Sequence, residues 1–405
     1  MKITILHQYF YPDVSGAALR FTELATSLAK EGFEITVITG FPIDKSGQEA
    51  PRAEIYEGIR IYRVRKWLFN KKRPVGRALN AILFFMGAFF KTLTTDRTSI
   101  LFVGSDPPFL PLLGWLMKKI RRQTYGVLVF DIYPDLAIQF GYLKNSSLLV
   151  RAWEQLNTLF LSQAKMIVTP GKYMKETLIK KIKSPGEHSK IRVIPTWEDG
   201  YLIRPMPKEE NRFCQQHQLL NQTIVLYSGN MGIVHDLKSL IEAAELLKNE
   251  SEILFVLIGD GAQKNRLTEL ASKKGLKNIR FFPYQPPEIT PYSFTCGDIA
   301  VVSIKSEAKK LCVPAKLHTA LASGQAILGI VPEDTEVAEL IEREDCGIRV
   351  DPDSPAQMAK TILTLHQNQS LLAKYQKNAR RVFESHFTKE QIMRDYIALF
   401  QSVAT

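Results

Sequence analysis

Short apolar runs alternate with helix-length amphipathic stretches along almost all of the 405 residues, and few folds accommodate that pattern. In the first half, Lys2–Gln8, Glu34–Thr39, Ile100–Val103, Val127–Phe130, Met166–Thr169 and Arg192–Ile194 read as strands. An amphipathic helix over about Ala17–Lys30, closed by Gly32, separates the first two, and Ile55–Val64 reads as a strand pair turning at Glu57-Gly58. Beyond Pro195, Pro205 and Pro207 a second series begins: Thr223–Ser228, Leu254–Gly259, Ile279–Phe281, Ile299–Ser303, Ala326–Ile330 and Ile348–Val350. Repeated β-α alternation calls for parallel, doubly wound sheets. The expected organisation is an α/β chain of two Rossmann-like domains, 1–200 and 201–385, facing across a cleft. A last helix within 386–405, anchored by Tyr396 and Phe400, is expected to pack back on the first domain. Ligands of such sheets lie beyond the carboxyl ends of the strands. In the first half that puts Tyr9–Gly16, Gly104–Phe109 and Asp131–Asp135 on the functional rim.

The stretch Leu311–Ile330, LCVPAKLHTALASGQAILGI, reads as loop, helix, turn and buried strand. Pro314 suits a helix start, and Gly324 suits its end. Free N–H groups at a helix entrance favour an anion, whereas Lys316 in that first turn is a cation in an unfavourable place. A phosphate answers both features; a solvated lysine on an ordinary helix is the plain alternative. Two further turns follow strands directly, Tyr227-Ser228-Gly229-Asn230-Met231-Gly232 and Gly259-Asp260-Gly261. Their glycines would let backbone approach a phosphate, although most turns of this kind carry glycine for structural reasons. Neither turn completes a dinucleotide fingerprint, and no GxxxxGK[ST] P-loop occurs.

Charge is lopsided. The net charge is +12, yet residues 1–205 hold 30 Lys and Arg against 17 Asp and Glu, while the remainder holds 23 against 24. An anionic surface facing the first half would explain this. Arg60, Arg63, Arg65, Lys66, Lys71, Lys72, Arg73 and Arg77 precede NAILFFMGAFFKTL, and PPFLPLLGWLM runs into KKIRR. Neither apolar run reaches the ~20 residues of a membrane span. Residues 60–122 are therefore expected to lie in an anionic membrane interface, with Trp67 and Trp115 near the headgroups. The competing reading is a buried helix with solvated flanks. Four widely spaced cysteines and seven histidines without HExxH spacing offer no metal or disulfide framework. The N-terminus reads as a strand rather than a signal peptide. A nucleic-acid binder fits poorly, because the basic clusters accompany apolar runs and not a base-stacking surface.

Several stretches together resemble the family 4 glycosyltransferases of GT-B fold, within the branch that builds colanic acid, lipopolysaccharide O-chains and other bacterial surface polysaccharides. They are HQYFYPDVSGAALR, FDIYPDLAIQFGYL, VIPTW, YSGNMG with IEAAELL, FVLIGDGA, FFPYQPPE and VPAKLHTALASGQAIL. The resemblance implies a retaining transfer from a nucleoside-diphosphate-sugar to a lipid-linked or glycan acceptor, with no cofactor or obligatory metal. It implies a cytoplasmic enzyme, peripheral at the inner face of the cell membrane. The donor diphosphate is implied to lie near Gly229, Asn230, Lys316 and Leu317, the base near Tyr284 and Gln285, with Gly259 and Gly261 on the same side. The acceptor is implied to meet Gly16, Ala17 and the rim residues Asp131, Tyr133 and Asp135.

The departures matter. Many relatives carry two glutamates eight residues apart, where this chain has Leu311 and Thr319, and an arginine and a lysine where it has Asn230 and His235. Lys316 would supply the lost positive charge, Thr319 a weaker bond to a ribose hydroxyl, and Glu307 an acidic contact for the sugar. Catalysis would rest on stabilising the departing diphosphate, through Lys316, with Asp131 orienting the acceptor hydroxyl. A glycolipid synthase acting on diacylglycerol or a fatty alcohol is the nearest rival. Outside the class stand a sugar-nucleotide 2-epimerase and a non-catalytic nucleotide-sugar binder.

Overall fold

The computed structural model describes residues 1–13, 15–42, 50–65, 69, 74–182 and 185–404. It divides into two compact units, one of Met1–Pro195 with Met393–Thr405 and one of Thr196–Ile392.

The first unit is built on an eight-stranded sheet. Its strands are β1 (Lys2–Leu6), β2 (Glu34–Thr39), β3 (Ala53–Tyr56), β4 (Ile59–Arg63), β5 (Ile100–Gly104), β6 (Tyr125–Leu128), β7 (Met166–Thr169) and β8 (Ile191–Val193). Their order is β3-β4-β2-β1-β5-β6-β7-β8. Only the β3–β4 hairpin is antiparallel, and Glu57 and Gly58 turn it with positive φ. The central strands are buried on both faces, which is why they read as continuous apolar runs. The strand expected at Val127–Phe130 begins two residues earlier, at Tyr125. Tyr125 is buried because its hydroxyl donates to the Phe160 carbonyl. Gly126 serves as a strand residue because a Cβ there would stand 2.6 Å from Met166 Cγ. Connections to the right of β1 put the Pro74–Leu93, Pro111–Arg121 and Leu148–Gln163 helices on one face of the sheet, opposite Gly16–Lys30. The C-terminal helix, Lys389–Ala404, brings Tyr396 and Phe400 against Phe102, and Phe400 against Phe33.

The second unit carries six parallel strands: β9 (Thr223–Ser228), β10 (Ile253–Ile258), β11 (Ile279–Phe282), β12 (Ile299–Ser303), β13 (Ala326–Ile330) and β14 (Gly347–Val350). The order β11-β10-β9-β12-β13-β14 reverses direction between β9 and β12. In the first unit the reversal falls between β1 and β5. At such switch points the loops diverge, and a crevice opens beyond the strand ends.

Candidate active site

The helix expected from Pro314 onward spans Lys316–Ala322, only seven residues. Its first turn is tight: the Leu317 amide donates to Pro314 and the His318 amide to Ala315. The supply of free N–H groups expected at this entrance is therefore largely spent inside the turn. Leu317 itself is buried. What the helix presents at the β9–β12 switch point is the Lys316 side chain. Its Nζ donates to the Asn230 carbonyl at 3.4 Å and to His235 Nε2 at 3.4 Å, and it stands 5.1 Å from the Tyr227 ring centroid. The Tyr227 hydroxyl holds the same Asn230 carbonyl at 2.6 Å. Among the described residues no carboxylate lies in ion-pair range of Lys316. Burial draws its ammonium down to about 8.

His235 does not replace a cation. It is buried, and its Nδ1 lies 2.6 Å from the Ser303 carbonyl, which can only accept. The proton therefore sits on Nδ1, leaving Nε2 as an acceptor for Lys316. Burial first, then the Lys316 charge, lowers His235 to about 3, so the ring is neutral at ordinary pH. It positions the ammonium.

The glycines of the two turns have a packing explanation. A Cβ on Gly259 would stand 2.1 Å from the Gly229 carbonyl oxygen, and one on Gly261 would stand 2.7 Å from Met231 backbone atoms. A Cβ on Gly229 would meet Lys316 Cε at 2.9 Å. All three have positive φ. The Gly229 amide donates to Ile258, Met231 to Asp260, and Gly259 to Phe282, so these amides knit the turns together. The expected wall of glycine N–H groups is thus mostly occupied, and positive charge falls to Lys316.

Thr319 lines a recess beneath the same helix, with Lys316, Ser228, Phe294 and Gln325. Its hydroxyl donates to Glu198 Oε2 at 2.7 Å, so the proton expected to reach a ribose hydroxyl is already committed. Tyr284 is exposed beyond β11, where its phenol accepts a backbone bond from Asp260. Gln285 next to it donates to the Pro283 carbonyl. Glu307 is exposed on a single 3-10 turn, Ser306–Ala308, after β12.

In the first unit the switch point gathers His7, Tyr9, Asp106 and Asp131. Gly104 leaves the room in which His7 stacks on Phe21 at 4.0 Å; a Cβ there would stand 2.5 Å from the His7 ring. Burial lowers His7 to about 4. Burial and then the Asp131 charge raise Asp106 to about 7. Asp131 keeps open surface, and desolvation by surrounding protein raises it less, to about 6. Tyr133 stacks on Trp153, and its carbonyl accepts from Asn157. Asp135 opens the Asp135–Gln139 helix and is paired with Lys181 at 2.6 Å; Lys181 also binds Glu154. An acceptor would have to break that pair to use Asp135. Gly16 and Ala17 begin the Gly16–Lys30 helix, capped by Ser15.

A family model described as Glycosyl transferase 4-like domain matches residues 15–197, and one described as Glycosyl transferases group 1 matches 208–382. The chain is similar to the probable glycosyltransferase WbjE of Pseudomonas aeruginosa, 24% identical over 89% of this chain and 88% of the relative. It is 25% identical to the putative colanic acid biosynthesis glycosyl transferase WcaI of Escherichia coli K12, over 98% and 99% of the two chains. Among solved structures, Anabaena HepE in complex with UDP and glucose superposes with a TM-score of 0.74 at 16% identity, covering 99% of this chain and all of the other. The chain belongs to the family 4 glycosyltransferases of GT-B fold.

Three features of this glycosyltransferase escaped the reading of its sequence. Asp106 sits in a loop placed on the rim, but its neighbour Asp131, 25 positions on, becomes visible only when β5 and β6 pair. Glu198 lies in the segment after Pro195, with nothing local to mark it. The KKIRR patch is only partly a surface charge: Lys118 donates to the Gln163 carbonyl and Arg121 to those of Thr92 and Thr95, closing two neighbouring helix ends. The Trp115 indole nitrogen is buried and not offered to headgroups. Lys66, Trp67, Lys71, Lys72 and Arg73 lie outside the described residues.

Proposed function

We propose that this glycosyltransferase moves a hexose-type sugar, with retention, from a nucleoside diphosphate to a lipid-linked or glycan acceptor in surface-polysaccharide synthesis. One observation carries the donor half. Lys316 is a half-buried ammonium at the switch point of its sheet, held by two neutral acceptors and a ring, with its charge uncompensated by any described carboxylate. A diphosphate is the ligand whose charge fits. As the anomeric carbon–oxygen bond to phosphate breaks, negative charge grows on the leaving oxygen, and a fixed ammonium stabilises it most at that moment. The acceptor oxygen bonds to the anomeric carbon on the same face, and its proton passes to the departing phosphate. Asp131 orients that hydroxyl, and Glu307 meets the sugar. The scheme assigns the diphosphate's charge to Lys316 and calls for no metal. The relatives' polysaccharide names and the UDP in HepE support the reading.

The acceptor half includes an anionic membrane surface. On the Pro74–Leu93 helix, Val75, Leu79, Ile82, Met86, Phe90 and Leu93 are exposed at steps of three and four, one continuous apolar stripe. Leu148, Leu149 and Leu156 on the Leu148–Gln163 helix are exposed as well, as are the cations Arg77, Lys119 and Arg122. Cations beside apolar side chains suit an interface, at about 1 kcal/mol for each charge near anionic lipid. No helix among the described residues is long and apolar enough to cross a membrane.

The test is a thermal-shift screen against nucleoside diphosphates and their sugars, followed by incubation of the radioactive donor with extracted membranes. One base should raise the melting temperature, and label should enter a lipid-linked product only with wild type and not with Lys316→Ala. Binding without turnover in any extract would overturn the catalytic reading, and release of an altered nucleotide sugar without acceptor would make the protein an epimerase.

A further inference from the structure

The first unit has a second recess, at the end of its sheet opposite the rim that holds Asp131. Parallel strands covered on both faces carry near-continuous apolar runs, yet β1, β2 and β4 open on alternation. Lys2 and Thr4, Glu34 and Thr36, and Arg60 and Tyr62 each flank a buried isoleucine. The register sets Lys2 beside Glu34, Thr4 beside Thr36 and Thr36 beside Arg60, so these polar positions share one face. The Pro74–Leu93 helix packs against β2 and ends over Tyr62, with Lys91 Nζ 3.5 Å from the ring centroid. Beyond the helix end lies a recess of about 150 Å³, bounded by the turn from Thr94 to Asp96 and by Ser99, with room for more than a single water. The five-residue strands β1 and β5 set it about 15 Å from the rim.

The lining holds Lys2, Arg60 and Lys91 against Glu34 and Asp96, a surplus of one positive charge. Lys2 pairs with Asp96 at 2.7 Å and Arg60 with Glu34 at 2.9 Å. Lys91 is left with no carboxylate in ion-pair range among the described residues. The Tyr62 ring face attracts its ammonium but occupies none of the N–H donors in a hydrogen bond. The hydroxyls around it are of two kinds. Those of Thr94 and Thr95 donate to the Lys91 and Thr92 carbonyls at 2.8 Å, so towards a ligand they can only accept. Those of Thr36 and Tyr62 have no hydrogen-bond partner among the described residues and can donate. A bare anion would leave the acceptors idle, and a neutral sugar would leave the charge unmatched. A sugar carrying one anionic group answers both. We propose that this recess binds a monosaccharide bearing a phosphate or a carboxylate, with the anionic group on Lys91 and the sugar hydroxyls among Thr36, Tyr62, Thr94 and Thr95. The site is separate from that of Lys316 and does not depend on the donor reading.

The experiment is titration calorimetry of the full chain at constant ionic strength. The probes are the 6-phosphates of glucose, galactose and mannose, the matching uronates, the three parent sugars and inorganic phosphate. At least one anionic sugar should bind about tenfold or more tightly than its parent sugar or phosphate, the factor a charge-assisted hydrogen bond supplies. Lys91→Met keeps a stem on the Tyr62 ring without the charge, and should weaken that binding about tenfold or more at an unchanged melting temperature. Thr36→Val and Tyr62→Phe, which remove only a hydroxyl, should each weaken it about threefold. Lys316→Ala should leave it unchanged, since the recess lies in the other unit. Loss of binding in Lys316→Ala with full binding in Lys91→Met would put the ligand at the donor site and overturn the proposal. A wild type that binds none of these probes overturns it as well. Phosphate bound as tightly as the anionic sugars would reduce the recess to a small-anion site and overturn its assignment to a sugar.

Discussion

Lys316 and His235 form a unit in which one side chain sets the other's chemistry. The neutral ring offers Nε2 to the ammonium, while burial holds the ammonium near 8. A bound diphosphate would raise that value, so binding takes up a proton at pH above about 8. Donor affinity should be level below pH 8 and fall above it, by up to about tenfold per pH unit until the bound-state value is passed. Titration calorimetry from pH 6.5 to 9.5 checks this. Lys316→Arg, charged throughout, should bind more weakly but with a flat profile. His235→Ala should loosen the ammonium and lower affinity without abolishing it. On the rim of the first unit, Asp131→Asn removes the like charge beside Asp106. The Asp106 titration should then move down from about 7, which carboxyl-carbon NMR would read.

At the scale of elements, the two glycine turns behave as one part. Gly259→Ala drives a Cβ into the Gly229 carbonyl and also demands positive φ from alanine. A cost of at least about 2 kcal/mol is expected, lowering the melting temperature by several degrees and donor affinity with it. Gly16→Ala is the contrast, since a Cβ there meets nothing within 4 Å. It should leave the melting temperature within about a degree, so a loss of transfer in that variant reports on acceptor binding alone. The apolar stripe of the Pro74–Leu93 helix makes the opposite kind of prediction. Ile82 and Phe90 are 51% and 60% exposed, so changing either to Glu removes little packing. Sedimentation with anionic vesicles should drop several-fold in both variants, with unchanged melting. Equal sedimentation of wild type and variants would sink the membrane assignment.

At the scale of the whole molecule, the chain leaves its first unit after Pro195 and returns to it at Met393. The returning residues Tyr396 and Phe400 are 1% and 0% exposed against Phe102, so the C-terminal helix completes the first unit's core with these two rings. Burying two such rings is worth several kcal/mol. Truncation after Ile392 should therefore make the first unit the earlier to unfold. Urea titration followed by limited proteolysis would show its fragments cut first, and equal protection of both units would contradict this.

The sequence alone determined the strands and their class. Parallel strands covered on both faces carry near-continuous apolar runs, so β2, β7, β9, β12 and β13 stand out with the bounds the sequence suggests. The Glu57-Gly58 turn and the unusual position of Lys316 were equally legible, because each follows from neighbours a few residues away. Only the tertiary structure decided which groups meet: Asp106 with Asp131, Glu198 with Thr319, His235 with both Ser303 and Lys316, Arg121 with another helix's end. It also decided that the glycines serve the contact between two turns, since a clash across thirty residues leaves no local trace. Hydrophobic periodicity is written along the chain, whereas a side chain's hydrogen bonds and proton affinity belong to whatever the fold sets beside it.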